Sequence, residues 1–226
     1  MLLCDIGNST YHFKVKKKTF KISINESIES LPDYEQKVYF LSVNEKATRI
    51  FLKKYPKAIN IECLMKFDTL YKGMGIDRQV VCHNIKDAII VDVGSAITID
   101  IMKCGKHKGG FIIPGIEAYK SIYPTISRKL SFDFEKNTNL DKMPLSTNDA
   151  INYAIFSAIT LPIKKEYEKY KVKVYLTGGD GNLLGGYLIG IPVKYKKNMI
   201  FSSMKEIIEE SNKKRKIDVN NSTTKR

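Results

Sequence analysis

The sequence lacks any Cys-x-x-Cys pair, since its four cysteines, Cys4, Cys63, Cys82 and Cys104, stand singly among 226 residues. This usage fits the reducing cytosol. The three histidines, His12, His83 and His107, have no ligand spacing, and no Ser, His, Asp arrangement can be argued from their positions. Zinc and serine-hydrolase chemistry therefore find no support. There is no Gly-Lys-Ser or Gly-Lys-Thr, which sets aside a Walker loop. No uncharged stretch reaches the roughly 18 apolar residues of a membrane span, because Asp92 and Asp100 interrupt the most hydrophobic region. The first residues also lack a basic segment followed by an apolar one, so a cytoplasmic protein without a membrane partner is expected.

Arginine is scarce as well, at five residues, so the net charge of +14 is carried by lysines spread along the chain. An excess of Lys, Ile and Asn is what codon bias in an AT-rich genome produces. A solvated basic surface, or attraction to an anionic substrate, is accordingly preferred to a nucleic-acid partner. The one dense basic run, Lys213-Lys214-Arg215-Lys216, lies in a polar C-terminal stretch expected to be disordered. What is abundant is apolar side chain: 43% hydrophobic content is enough for a real core.

That apolar content is organised around Asp92-Val93-Gly94-Ser95-Ala96-Ile97-Thr98-Ile99-Asp100, an apolar run that feeds a carboxylate, a glycine and a hydroxyl residue and then resumes. It reads as strand, tight turn, strand. Leu2-Leu3-Cys4-Asp5-Ile6-Gly7-Asn8-Ser9-Thr10 is an earlier twin with the same Asp-x-Gly core. Such a turn offers a carboxylate to a metal ion and lets phosphate approach backbone N–H groups past a missing side chain. One copy is a common turn; two copies suggest a duplicated half-domain gripping one nucleotide.

The order of elements supports duplication. After the first turn, Tyr11–Val15 and Thr19–Ile24 alternate about Lys16-Lys17-Lys18 as a hairpin. Val38–Val43 reads as a strand, Asn44–Tyr55 as a helix capped by Asn44 and ended by Pro56, and Ala58–Leu64 as a fifth strand. The second half repeats this with strands at Ala88–Val93, Ala96–Met102 and Lys108–Ile113, and with helical stretches at Ile116–Leu130 and Asn148–Tyr170. Then follow a strand at Val172–Leu176, a short helix at Asn182–Ile189 and a strand at Ile191–Tyr195. That order resembles the actin/hexokinase (ribonuclease H-like) superfamily, which implies an α/β fold of two such subdomains, each a five-stranded mixed sheet with helices, and ATP in the cleft between them. Residues 1–85 would form the first subdomain and 86–204 the second, with 205–226 a helix end and basic tail.

Four further motifs flank the turns. Gly73-Met74-Gly75-Ile76-Asp77-Arg78 is a glycine-flanked loop that sets a carboxylate beside a guanidinium, either as a surface ion pair or as a substrate clamp with a proton acceptor. Gly109–Gly115 brackets a short strand with glycines, as does a hairpin or a backbone passing close to a ligand. Leu176-Thr177-Gly178-Gly179-Asp180-Gly181 is a strand-to-helix turn against which adenosine could lie, and Ser146-Thr147-Asn148-Asp149 has the form of a helix cap.

Taken in order, Asp5–Ser9, Gly75–Arg78, Asp92–Ala96, Gly109–Gly115, Ser146-Thr147 and Thr177–Gly179 resemble the type III pantothenate kinases. The resemblance runs from residue 5 to about 195. It implies ATP-dependent phosphorylation of the primary hydroxyl of pantothenate, the first step of coenzyme A synthesis, in a homodimer. By position, Asp5, Ile6, Gly7, Asn8, Ser9, Thr10, Tyr11 and His12 would line the ATP phosphates, with Ser95 touching them from the other half. Gly75, Ile76, Asp77 and Arg78 would hold pantothenate, Asp77 as catalytic proton acceptor, and Thr147 would contact it. Asp92 would bind the monovalent cation, K⁺ or NH₄⁺, and Mg²⁺ would accompany ATP. The chain departs from the family pattern at Ser9 and Ser95, where threonine is usual, and at Asp68, where a substrate-covering tyrosine is usual; Tyr71, the nearest tyrosine, would take that place against pantothenate. The alternatives are another small-molecule kinase or phosphatase of the superfamily, or a non-catalytic nucleic-acid-binding regulator on the same fold.

Overall fold

Strands whose two faces are both apolar belong in the middle of a sheet, and the chain opens with one. The computed structural model describes residues 1–223. Strand β1 (Leu2–Ile6) pairs antiparallel with β2 (Thr10–Val15) and parallel with β4 (Val38–Ser42). Strand β3 (Lys18–Ser23) edges β2, and the two-residue β5 (Ile59–Asn60) edges β4, giving the order β3-β2-β1-β4-β5. Alternation sends Leu2, Cys4 and Ile6 to one face, where they pack with Tyr11, Phe13 and Phe40 and with Ala47, Phe51 and Tyr55 along and just beyond helix α1 (Glu45–Lys54). Leu3, Asp5 and His12 take the other face. There the His12 ring meets Phe201 edge-on at 4.7 Å, Phe201 lying on helix α6 (Met199–Thr223). Helix α2 (Ile76–Cys82) packs on α6 and β4.

Helix α1 begins where Asn44 Oδ1 accepts the Ala47 N–H at 3.0 Å, closing one of the unpaired donors of the first turn. Asn44→Ala is expected to lower stability by about 1 kcal/mol, seen as a smaller denaturation midpoint with an unchanged m-value.

The second sheet is built from β6 (Ala88–Val93), β7 (Ala96–Lys103), β8 (Lys106–Pro114), β9 (Val174–Thr177) and β10 (Val193–Tyr195), in the order β10-β9-β6-β7-β8. Ile89, Val91, Val93, Ile97, Ile99 and Ile101 line one face against Ile151, Ile155, Ile159 and Ile163, a stripe four residues apart on helix α4 (Thr147–Tyr170). Helices α3 (Ile116–Ile126) and α5 (Gly181–Gly185) complete the set. Strand for strand, the two sheets repeat one plan: a three-strand antiparallel meander, then two strands added in parallel. That is the actin/hexokinase-like duplication.

Two compact units result: residues 1–68 and 72–83 with the stretch from Met199 onward, and residues 69–71 with 84–198. Three features differ from the sequence reading. The expected fifth strand over Ala58–Leu64 is a strand for two residues only, then a 3₁₀ turn over Ile61–Leu64, with Asn60 Oδ1 accepting the Glu62 N–H. The Gly73–Arg78 loop continues directly into α2. The stretch expected to join the second subdomain and trail off in a tail is instead α6 through Thr223 and belongs to the first unit; residues 224–226 lie outside the described residues. Its anchor is apolar: Met199, Ile200, Phe201, Met204, Ile207 and Ile208 are all buried. No described helix is long and apolar enough to cross a membrane.

Candidate active site

The two Asp-x-Gly turns occupy equivalent places, each carboxylate being the last residue but one of its sheet's central strand. In the first unit Asp5 lies between His12 on β2 and Leu41 on β4. The turn closes when the Gly7 N–H donates to the Thr10 carbonyl at 3.0 Å, leaving Asn8 and Ser9 exposed at its tip. Ile6 and Tyr11 face the α1 core, and the Tyr11 hydroxyl donates to the Ala47 carbonyl at 3.0 Å. Those two can offer only backbone to a ligand at the turn. His12 faces the other way. Burial, then the charges of Lys21 and Lys14, push its pKa down to about 4, so it is neutral at pH 7. Lys14 is itself lowered by burial and by Lys205. The face beside Asp5 is therefore crowded with positive charge, an environment that favours an anion.

Asp77 sits in the first turn of α2, where its Oδ1 accepts the Arg78 N–H at 2.8 Å. A Cβ at Gly75 would lie 2.5 Å from that oxygen, so the glycine makes room for the carboxylate to fold back over it. Gln79 fixes the junction, its side-chain amide donating to the Met74 carbonyl at 2.8 Å and its N–H to the Gly75 carbonyl at 3.1 Å. Ile76 is buried and Arg78 is only 4% exposed, so the guanidinium is a built-in part of the first unit rather than a surface charge.

In the second unit Asp92 stands in register between Thr98 on β7 and Thr177 on β9, two hydroxyl residues on its own face of the sheet. The Gly94 N–H donates to the Ala96 carbonyl at 3.2 Å, making a tighter turn than its twin and leaving Ser95 exposed. Two glycine loops wrap this turn. Gly115 donates to the Ser95 carbonyl at 3.1 Å, and a Cβ there would come within 2.3 Å of the Gly94 carbonyl oxygen. Gly178, at φ +84°, lies so close that a Cβ would be 2.4 Å from the Val93 carbonyl oxygen and 2.5 Å from Asp92 Oδ1. Thr147 is the exposed first residue of α4, behind Ser146, whose hydroxyl accepts the Asp149 N–H at 3.1 Å. Tyr71 is half-buried and belongs to the second unit.

Sequence reasoning missed a buried polar group next to Tyr71. Asp100 and His107 lie 2.9 Å apart with both side chains shielded from solvent, and His107 also meets Thr69. No local spacing signals that group, because a displaced register and a segment 38 residues away in sequence bring it together.

A repeated five-stranded plan with a carboxylate at the end of each central strand defines the class: an actin/hexokinase-like fold. A protein from Sinorhizobium meliloti described as a 2-dehydro-3-deoxygalactonokinase shares that fold at 9% identity, with a TM-score of 0.58 over 92% of this chain and 96% of that one. Within the class, the chain belongs to the type III pantothenate kinase family, which matches residues 35–169. A type III pantothenate kinase of Campylobacter jejuni (strain RM1221) is 45% identical over 211 residues, 93% of this chain and 98% of the relative. A crystal structure from Campylobacter jejuni, described as a conserved Baf family transcriptional activator, is 43% identical and superposes with a TM-score of 0.82, covering 94% of this chain and all of that one.

Proposed function

We propose that this chain transfers the γ-phosphoryl group of ATP to the primary hydroxyl of pantothenate in the cytoplasm, with Asp77 as the proton acceptor. The observation that carries this reading is Asp77 itself: a carboxylate folded over Gly75 at the start of α2, beside the buried Arg78, in a chain of this family. The hydroxyl oxygen attacks phosphorus, the bond from phosphorus to the ADP oxygen breaks, and the hydroxyl proton passes to Asp77. Phosphoryl transfer has a loose transition state, so Asp77 needs to orient the nucleophile and take its proton late rather than act as a strong base. Arg78 supplies a charge for the pantothenate carboxylate or for the transferring phosphoryl group. Gly75 and Ile76 shape the pantothenate side, to which Tyr71 and Thr147 are assigned. Gly7 to Thr10, with backbone from Ile6 and Tyr11 and the positive environment of His12, receive the ATP phosphates, and Ser95 contributes its hydroxyl.

The donor set fits the cations assigned to it. Asp5 would hold Mg²⁺ brought with the nucleotide, and Asp92, flanked by Thr98 and Thr177 and pressed by Gly178, offers the hard oxygens that a monovalent K⁺ or NH₄⁺ takes. Among the described residues no group of three or more His, Cys, Asp or Glu side chains could hold a metal. When bound, these cations spread the negative charge of the transferring phosphate. The active species is assigned as a homodimer. Ile112 on β8 and Ile122 and Ile126 on α3, all more than half exposed, supply apolar surface for self-association.

A coupled assay of ADP release tests the reading. Pantothenate is expected to trigger release that rises with K⁺, while other hydroxylated acids do not; equal rates with and without pantothenate would overturn it. The name of the Campylobacter jejuni structure and the exposed Lys213, Lys214 and Arg215 support one rival, a DNA-binding regulator. It requires salt-sensitive DNA binding without turnover.

A further inference from the structure

The hydrogen bonds of Asp100, His107 and Thr69 form a chain with one direction. The Tyr71 N–H donates to Thr69 Oγ1 at 3.0 Å, Thr69 Oγ1 is 2.7 Å from His107 Nδ1, and His107 Nε2 is 2.9 Å from Asp100 Oδ1. One proton arrangement serves every link: the Thr69 hydroxyl donates to Nδ1, and Nε2–H donates to the carboxylate. The pair lies deep, with side-chain exposures of 0% for His107 and 1% for Asp100. A buried pair of this kind is weak as a stabiliser, since apolar residues of similar volume generally serve the core as well or better. Its geometry is also specially made. Asp100 faces Gly110 and Ile101 faces Gly109, but Met102 faces His107, so β8 carries one extra residue at this point. That bulge, with Gly109 at φ +115°, turns His107 onto the face of the sheet that Asp100 occupies; unbroken register would send it to the opposite face. The sequence motif Gly109-Gly110 thereby acquires a physical reason. The far end of the chain of bonds is no part of the sheet: it is the short segment 69–71, grouped with the second unit and flanked in sequence by residues of the first. Four residues after it comes Gly75.

We infer that Asp100, His107 and Thr69 are positioning residues that hold segment 69–71, and with it the Tyr71 backbone and ring, in place on the pantothenate side of the site. This rests on the pantothenate kinase reading above. The Tyr71 ring lies 6.1 Å, centroid to centroid, from the His107 imidazole, so backbone and side chain are both referenced to the same buried group.

Thr69→Val removes the hydroxyl while keeping the shape, at a half-buried position where folding should survive. Losing one hydrogen bond is expected to raise KM for pantothenate roughly five- to tenfold, with KM for ATP and kcat within about twofold of wild type. Thr69→Ser is expected to restore the wild-type value, and amide exchange measured by mass spectrometry is expected to quicken at Tyr71 in the valine variant alone. An unchanged pantothenate KM in Thr69→Val, or an equal change in both KM values, would overturn the inference while leaving the kinase reading intact. Failure of that reading shows elsewhere, as a wild-type enzyme that releases no ADP with pantothenate, and it would overturn the inference as well.

Discussion

Asp77→Asn is expected to lower turnover by about two orders of magnitude or more while ATP still binds with its wild-type affinity. Asparagine keeps the size of the side chain, and its carbonyl oxygen can still accept the Arg78 N–H that Asp77 Oδ1 now accepts at 2.8 Å. The fold at the start of α2 should therefore be preserved, and only the ability to receive a proton is lost. Two features sharpen the test. Asp77 lies above Gly75, in a space that any Cβ at residue 75 would invade, so its position is set by local backbone and not by the ligand. The ATP contacts are assigned to other elements, the turn after β1 and Ser95, so nucleotide affinity and turnover should separate. Calorimetric titration of ATP and steady-state rates at saturating pantothenate measure the two quantities. Turnover equal to wild type would remove Asp77 from the mechanism.

Gly178→Ala is expected to have the largest effect on the structure of the second unit. Residue 178 sits at φ +84°, where alanine is strained, and its new methyl group would meet backbone: the Val93 carbonyl oxygen at 2.4 Å and the Val93 carbonyl carbon at 2.6 Å. Neither atom can swing aside as a flexible side chain could, since Val93 ends β6 between its two neighbours and its carbonyl also accepts the Asp180 N–H at 3.3 Å. Backbone strain of about 1–3 kcal/mol and overpacking of a similar size add in the same direction. A destabilisation of about 2–6 kcal/mol should appear as a clear fall in Tm, with loss of activity because the Asp92 carboxylate would be displaced as well. A Tm within a degree or two of wild type would show that the turn and the Gly178 loop do not hold each other.

Much of this was legible in the sequence, for physical reasons that differ from element to element. The strand at Ala88–Val93 announces itself as a nearly unbroken apolar run, the strand at Ala96–Met102 by Ile97, Ile99 and Ile101 at every second position, and the meander after Asp5 because its residues alternate. Duplication was visible since the two Asp-x-Gly turns keep the same chemistry at the same place in their sheets. Other features were hidden by being short or by acting at a distance. Helix α2 has seven residues, too few for a clear period, and its opening glycines suggest a loop. The polar residues after Glu209 obscure α6, although Met199, Ile200, Phe201, Met204, Ile207 and Ile208 carry a helical repeat. The Asp100–His107 contact depends on an inserted residue in β8 whose cost and benefit are both tertiary. Tyr11 shows the opposite difficulty: its place in the motif suggests a ligand, while alternation along β2 sends its side chain into the core.

The first unit is assembled from both extremities of the sequence, with α6 laid on a face that β1 and β2 present some two hundred residues earlier. On the ribosome, the early segments keep Leu3 and its neighbours on that face uncovered until residues 199–223 have been made, whereas the core of residues 84–198 is drawn from within that stretch. Until then that apolar face of the first sheet is open to proteolysis and to mispairing with other chains.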